Sequence, residues 1–230
     1  MAKILTFSYD DGVTQDIRLI ELFNRYGMKA TFNLNSSLLG LPGHLIREDK
    51  RIDHIKVSPA DVKHIYAGHE VASHTKTHPF LPSMQDDAAI IREVEEDRLA
   101  LSELVGEEVV GFAYPGGGIN YDSRVAGIIR DNTGIRYCRT TVSSHSFARQ
   151  ENLFEFKPTV YHHAEFDSLF TLGEAFLSIP DDADALFYVW GHAYEFDIHQ
   201  TWDRFEEFLR MMAHQASIHY LTNKDALLNV

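Results

Sequence analysis

Cysteine is nearly missing from this chain, with Cys138 the single one among 230 residues. One thiol excludes an internal disulfide and any zinc site built on cysteine pairs. Positive charge is also scarce: 21 Lys and Arg stand against 34 Asp and Glu, for a formal net charge of −13. That balance repels a phosphate backbone, and no Lys/Arg-rich stripe offsets it locally, so nucleic acid is not an expected partner. No apolar run approaches the roughly 20 residues that cross a bilayer, and membrane insertion is not expected. The opening MAKILTFSYD lacks a basic stretch, a long apolar segment and a small-residue cleavage site, so a cytoplasmic location is the expectation.

What is present suits one globular domain over residues 1–230: 44% hydrophobic and 24% charged residues, with no low-complexity segment or internal repeat. KILTFS reads as a core strand, and the Asp10-Asp11-Gly12 turn leads into a helix carrying Ile17, Ile20, Leu22 and Phe23 at helical spacing. Thr14 is placed to cap that helix and Gly27 to end it. KATFNLN is a second strand, a Gly/Pro-rich charged loop follows, and Ser58-Pro59 opens a helix over SPADVKHIYAG. HEVASH, VVGFAY, IRYCRT, ALFYVWGH and SIHYLT are further strands, interleaved with helices of which 85–105 is the longest. About seven repeats of strand and helix predict an α/β fold with parallel strands and outer helices, either a closed barrel or an open doubly wound sheet. In both, chemistry belongs at the carboxyl ends of the strands. Asp10-Asp11, His74 with His78, Tyr114-Pro115-Gly116 and Trp190-Gly191-His192 all fall there.

His74 and His78 in SHTKTHP sit four apart, near enough to share a metal from one turn or a tight loop, and Pro79 biases His78 toward the loop. Two histidines at this spacing are also common on ordinary surfaces. Asp10 and Asp11 repel each other at a strand end unless a cation lies beside them, although Asx-Gly pairs are mostly turn formers. One carboxylate and two imidazoles form a common ligand set for a catalytic zinc that keeps a position open for water, leaving the second aspartate as a base.

Together, FSYDDG (7–12), SHTKTH (73–78), FAYPGG (112–117) and VWGH (189–192) resemble the ordered motifs of the polysaccharide deacetylases, the NodB-homology carbohydrate esterases. The resemblance runs from the first strand to His192. It implies a distorted (β/α)7 barrel that uses a divalent metal, usually zinc, to remove acetyl groups from an acetylated saccharide. Position by position it implies Asp10 as catalytic base, Asp11, His74 and His78 as metal ligands, and His192 as general acid. Pro115 and Gly116 fall where the family lines its groove, with the Gly116 N–H on the oxyanion. Tyr114, Trp190 and Tyr194 are candidates to stack on sugar faces, against the plainer reading of core packing.

Two family features are missing. An arginine that orients the base is replaced by Ala113, with Arg139 the stand-in, and no Asp-Trp pair supports the acid histidine between Thr140 and Ala164, with Asp197 the substitute considered. His145, Arg149 and His162-His163 lie in an irregular 141–164 stretch, a candidate substrate loop or simply polar surface. The alternatives are an amidase for a small cyclic or amide substrate, and a catalytically impaired sugar-binding protein on the same barrel.

Overall fold

Every residue of the first strand, β1 (Lys3–Asp10), is buried, as expected of a parallel strand covered on both faces. The chain, a computed structural model describing residues 2–229, then alternates as the sequence predicts. The elements after β1 are α1 (Asp16–Arg25), β2 (Ala30–Leu34), a hairpin of β3 (His44–Arg47) and β4 (Lys50–Asp53), α2 (Val62–Ile65) and β5 (Glu70–Ser73). Next come α3 (Asp87–Val105), β6 (Gly111–Ala113), α4 (Ser123–Asn132), β7 (Tyr137–Arg139), β8 (Val160–Tyr161) and α5 (Phe166–Leu177). The last are β9 (Ala185–Gly191), α6 (Glu195–His199), α7 (Trp202–Met212), β10 (Ile218–Tyr220) and α8 (Asn223–Leu228).

The main sheet is parallel throughout, in the order β7-β6-β5-β2-β1-β9-β8, with β10 alongside the first half of β1. Residues 156–161 carry it toward closure. Phe156 N–H donates to Cys138 at 3.0 Å beside β7, and Thr159 N–H donates to Tyr188 at 2.8 Å beside β9. The result is the curled sheet of a distorted (β/α)7 barrel.

The period of two along β1 sorts its side chains. Leu5, Phe7 and Tyr9 face outward into the main core with Phe23, Phe205 and Phe208, whereas Ile4 joins the inner cluster of Leu186, Tyr188 and Trp190. Asp10 shares the parity of Ile4 and therefore points into the barrel.

The structure differs from the sequence reading at several places, among them β8 and α8, which that reading did not mark. The loop after β2 contains the β3–β4 hairpin; α1 starts at Asp16 with no side-chain cap, so Thr14 is not its N-cap. The helix opened by Ser58-Pro59 is a 3₁₀ turn followed by the single turn of α2. α6, which the sequence reading did not mark, follows His192 directly. Among the described residues no helix is long and apolar enough to cross a membrane.

Candidate active site

The carboxyl ends of the strands surround a cavity of about 900 Å³ lined by Asp10, Asp11, His74, His78, Trp190 and His192 among others. Its geometry starts at the end of β1. Asp10 keeps the strand's inward direction, while Asp11 has φ 85° and Gly12 φ 61°, turning the chain sharply. Asp is among the few non-glycine residues that tolerate the left-handed region. That turn is what lets two adjacent carboxylates face the same cavity, which a straight strand forbids.

Asp10 is almost wholly enclosed. Arg139 Nη2 donates to its Oδ1 at 2.6 Å, Asn33 Nδ2 donates to the same oxygen at 2.8 Å, and Arg139 also reaches Oδ2. The guanidinium lies over the Trp190 ring, 4.3 Å from its centroid. Arg139 thus contacts the carboxylate from β7, where the sequence suggested a stand-in for the arginine missing at Ala113. The position of Ala113 keeps a use, because its carbonyl accepts from His74 Nδ1 at 2.8 Å. A carbonyl only accepts, so Nδ1 carries the proton and the Nε2 lone pair is free, 3.9 Å from Asp10 Oδ2.

Asp11, His74 and His78 each offer one ligand atom, and the three atoms lie within 4.8 Å of one another. The two imidazole centroids are 4.9 Å apart. His78 arrives from a loop, with φ 61°. Burial holds the His74 imidazole down at about 4, only partly offset by Asp10, so it is neutral and able to bind a cation. Burial alone would push Asp11 up. A hydrogen bond from His54 and the charge of Lys56 outweigh it and hold the carboxyl well below its usual range. Behind His74, Asp97 of α3 accepts from the Ser73 hydroxyl at 2.6 Å and the His74 N–H at 3.2 Å, fixing the end of β5.

His192 faces Asp10 with Nε2 at 4.0 Å from Oδ2 and anchors Nδ1 on Glu195 Oε1 at 3.0 Å. Burial lowers this imidazole, but Glu195, then Asp10 and Asp11, raise it to about 9. Glu195 is buried yet held well below the usual range, because the His192 charge and hydrogen bond, with the His162 ring 3.3 Å away, overcome desolvation. Its remaining partners are the His192 N–H at 2.9 Å and the Tyr161 hydroxyl. Gly191 is required here. A Cβ would sit 1.8 Å from His162 Cδ2, so only glycine lets β9 pass that ring.

Several sequence expectations fall elsewhere. Tyr114 is 1% exposed, packs against Phe112 and Tyr121, and donates to the Phe154 carbonyl at 2.8 Å, so it belongs to the core rather than to the cavity wall. Pro115 is likewise buried, whereas Gly116, Trp190 and Tyr194 do line the cavity. Asp197 does not meet His192; it accepts from Trp202 Nε1 at 2.7 Å and Gln15 Nε2 at 3.0 Å. His145 pairs with Glu165 and Arg149 with Asp184 at 2.9 Å, both away from the wall, while His163 lines it.

Among the groups that escaped the sequence reading are Glu195, His54 and Lys56. Glu195 stands three residues after His192, a spacing that a helix start would have flagged. His54 and Lys56, alternate residues leaving β4, share one side by the period of an extended chain and reach Asp11 at 3.1 Å and 3.3 Å.

A sequence profile described as polysaccharide deacetylase matches residues 1–136. No curated protein sequence matches the chain. Among solved structures, a polysaccharide deacetylase from Bacillus cereus matches at 18% identity and TM-score 0.52, over 65% of this chain and 44% of that one, so this chain spans less than half of that relative's length. The Xyl-CE4 domain of a multidomain xylanase from the hindgut metagenome of Trinervitermes trinervoides matches at 17% identity and TM-score 0.59, over 98% and 90%. A CE4 family pseudoenzyme from Bacillus anthracis matches at 15% identity and TM-score 0.61, over 98% and 66%. At these identities the structural likenesses speak to the fold.

Proposed function

This chain belongs to the polysaccharide deacetylase family, and from that membership we propose that it is a metal-dependent hydrolase removing acetyl groups from an N- or O-acetylated saccharide. The observation that carries the reading is the convergence of Asp11, His74 and His78 beside Asp10 and His192 on one cavity wall. The donor set, one carboxylate oxygen and two imidazole nitrogens without thiolate, suits zinc with a position left open. His78 Nε2 and Asp11 Oδ1 are 3.8 Å apart, near the roughly 3.4 Å between tetrahedral ligands bonded at about 2.0–2.2 Å.

A divalent ion held by these three residues supplies Lewis-acid polarisation of a water and of the acetyl carbonyl. The remaining work falls to the chain. Asp10, its orientation set by Arg139 and Asn33, takes the proton of the attacking water. Gly116 lines the cavity, and its N–H is the group assigned to the developing oxyanion. His192, cationic at neutral pH because Glu195 faces it, delivers its Nε2 proton to the leaving amine or hydroxyl. The Trp190 ring is covered by the Arg139 guanidinium and stacked on Tyr161, which leaves Tyr194 as the candidate aromatic to meet the sugar.

Acetate release from acetylated chito-oligosaccharides, acetylxylan and a generic acetyl ester, run beside elemental analysis, tests the reading. Turnover that chelation abolishes and zinc restores is the expected result; turnover indifferent to chelation rejects the metal role. The likeness to a pseudoenzyme and the alanine at 113 favour a second reading, a saccharide binder without turnover. Arg139 on Asp10 and Glu195 on His192 weigh against it, since binding alone needs neither a held base nor a charged acid. No acetate from any of the three substrates would put the binder ahead.

A further inference from the structure

We propose that the saccharide taken by this cavity carries an anionic group, a carboxylate or a phosphate, and that Arg47 recognises it; the proposal rests on the deacetylase reading of the same site. The argument begins with the charges on the wall. Three carboxylates line the cavity, and each faces its own cation: Asp10 meets Arg139, Asp11 meets Lys56, and Glu195 meets His192. Lys56 is thereby engaged. Arg47 is the remaining permanent charge on the wall, and among the described residues no carboxylate lies within ion-pair distance of it. Its one side-chain hydrogen bond is to the carbonyl of Ile46, its neighbour, at 3.1 Å. On a chain of net charge −13, the cavity therefore carries one uncompensated charge, and it is positive. A divalent ion held at Asp11, His74 and His78 would add to that excess.

Arg47 itself is exposed, and the hairpin that carries it is anchored. Arg47 ends β3, paired with Lys50, before a two-residue turn in which Glu48 and Asp49 have φ 50° and 60°. Two positive φ values in a row are the signature of a tight type I′ hairpin. On either side of the turn the hairpin is tied to α6, by Lys50 Nζ donating to the Ile198 carbonyl at 2.7 Å and by Glu48 lying 3.5 Å from His199. The same helix begins with Glu195, the partner of His192. Arg47 and Tyr194 both line the cavity, and the Tyr194 ring packs 5.0 Å from His192. The anion is accordingly placed on the leaving saccharide, on the side of the general acid, and not on the acyl group. A planar guanidinium suits both carboxylate and phosphate through paired N–H donors.

The test uses metal-loaded protein and four N-acetylglucosamine compounds: the neutral sugar, its 6-phosphate, its 6-carboxylate and its 3-O-lactyl ether. At least one anionic compound should exceed the neutral sugar by about tenfold in kcat/KM, the scale of one partly exposed charge-assisted hydrogen bond. Which compound leads separates phosphate from carboxylate. Arg47→Gln should remove that preference through KM while leaving kcat and turnover of the neutral sugar unchanged, and Arg47→Lys should restore part of it. Equal handling of all four compounds, or a preference that survives Arg47→Gln, overturns the proposal. Calorimetric binding of the same compounds to wild type and Arg47→Gln is read in parallel. Tighter, Arg47-dependent binding of an anionic sugar without acetate release would uphold the anion site and reject the hydrolase.

Discussion

Replacing Glu195 with Gln keeps an acceptor of the same shape for His192 Nδ1 and removes its charge. In the native site burial lowers the His192 imidazole, and Glu195, ahead of Asp10 and Asp11, brings it up to about 9. Without that carboxylate the largest opposition to burial is gone, and the imidazole moves down from about 9 toward its ordinary 6.5. In the proposed role of general acid, His192 works only when protonated. At about pH 8 the protonated fraction then drops from roughly nine-tenths toward a few hundredths, so kcat/KM falls by up to roughly thirtyfold, whereas at about pH 6 both proteins stay largely protonated and differ little. The same sign governs stability. A raised histidine contributes stability that is complete below about 6.5 and is lost as pH climbs through about 9. The assay is a pH profile of kcat/KM for the metal-loaded proteins, with metal content measured to show that both are loaded. A loss of equal size at both pH values would refute the reasoning, because it would mean that Glu195 holds His192 in place without setting its charge.

Other expectations follow from the same contacts. Arg139→Met strands the buried Asp10 carboxylate and should cost roughly 3–5 kcal/mol of stability, read by denaturant unfolding, together with most turnover. Asp11→Asn or His74→Ala should reduce bound zinc from one equivalent toward none by elemental analysis, with far-UV circular dichroism unchanged. Gly116→Ala should lower kcat without loss of metal, because residue 116 has φ 91° and a Cβ there would lie 3.1 Å from Phe80. Phe205→Ala, which empties a site packed by Phe7, Tyr9, Phe196 and Phe208, should cost roughly 3–5 kcal/mol in chemical unfolding while the remaining folded protein keeps its metal.

Much of this was readable beforehand, for local reasons. Covered parallel strands need continuous apolar runs and outer helices need a 3.6-residue period, so β1, β9 and α7 announce themselves in KILTFSYD, ALFYVWG and WDRFEEFLRMM. The β3–β4 hairpin was hidden because its residues are mostly exposed and charged, which leaves no apolar alternation to detect. Tyr114 stays open in the sequence between stacking on a sugar and packing in the core, because a strand-end aromatic can point either way, and only its burial places it in the core.

The order of FSYDDG, SHTKTH, FAYPGG and VWGH along the chain pointed to the family, and the apolar periodicities gave the alternating architecture and the residues that end several strands. Which of those residues meet was decided only by the tertiary structure. Arg139 reaches Asp10 across 129 positions and Lys56 reaches Asp11 across 45, whereas Glu195, just three residues from His192, needed the start of α6 to bring it into contact. Strand periodicity is a local property of the backbone. The pairing of buried charges depends on which strands the curled sheet sets side by side, and no local pattern in the sequence records that.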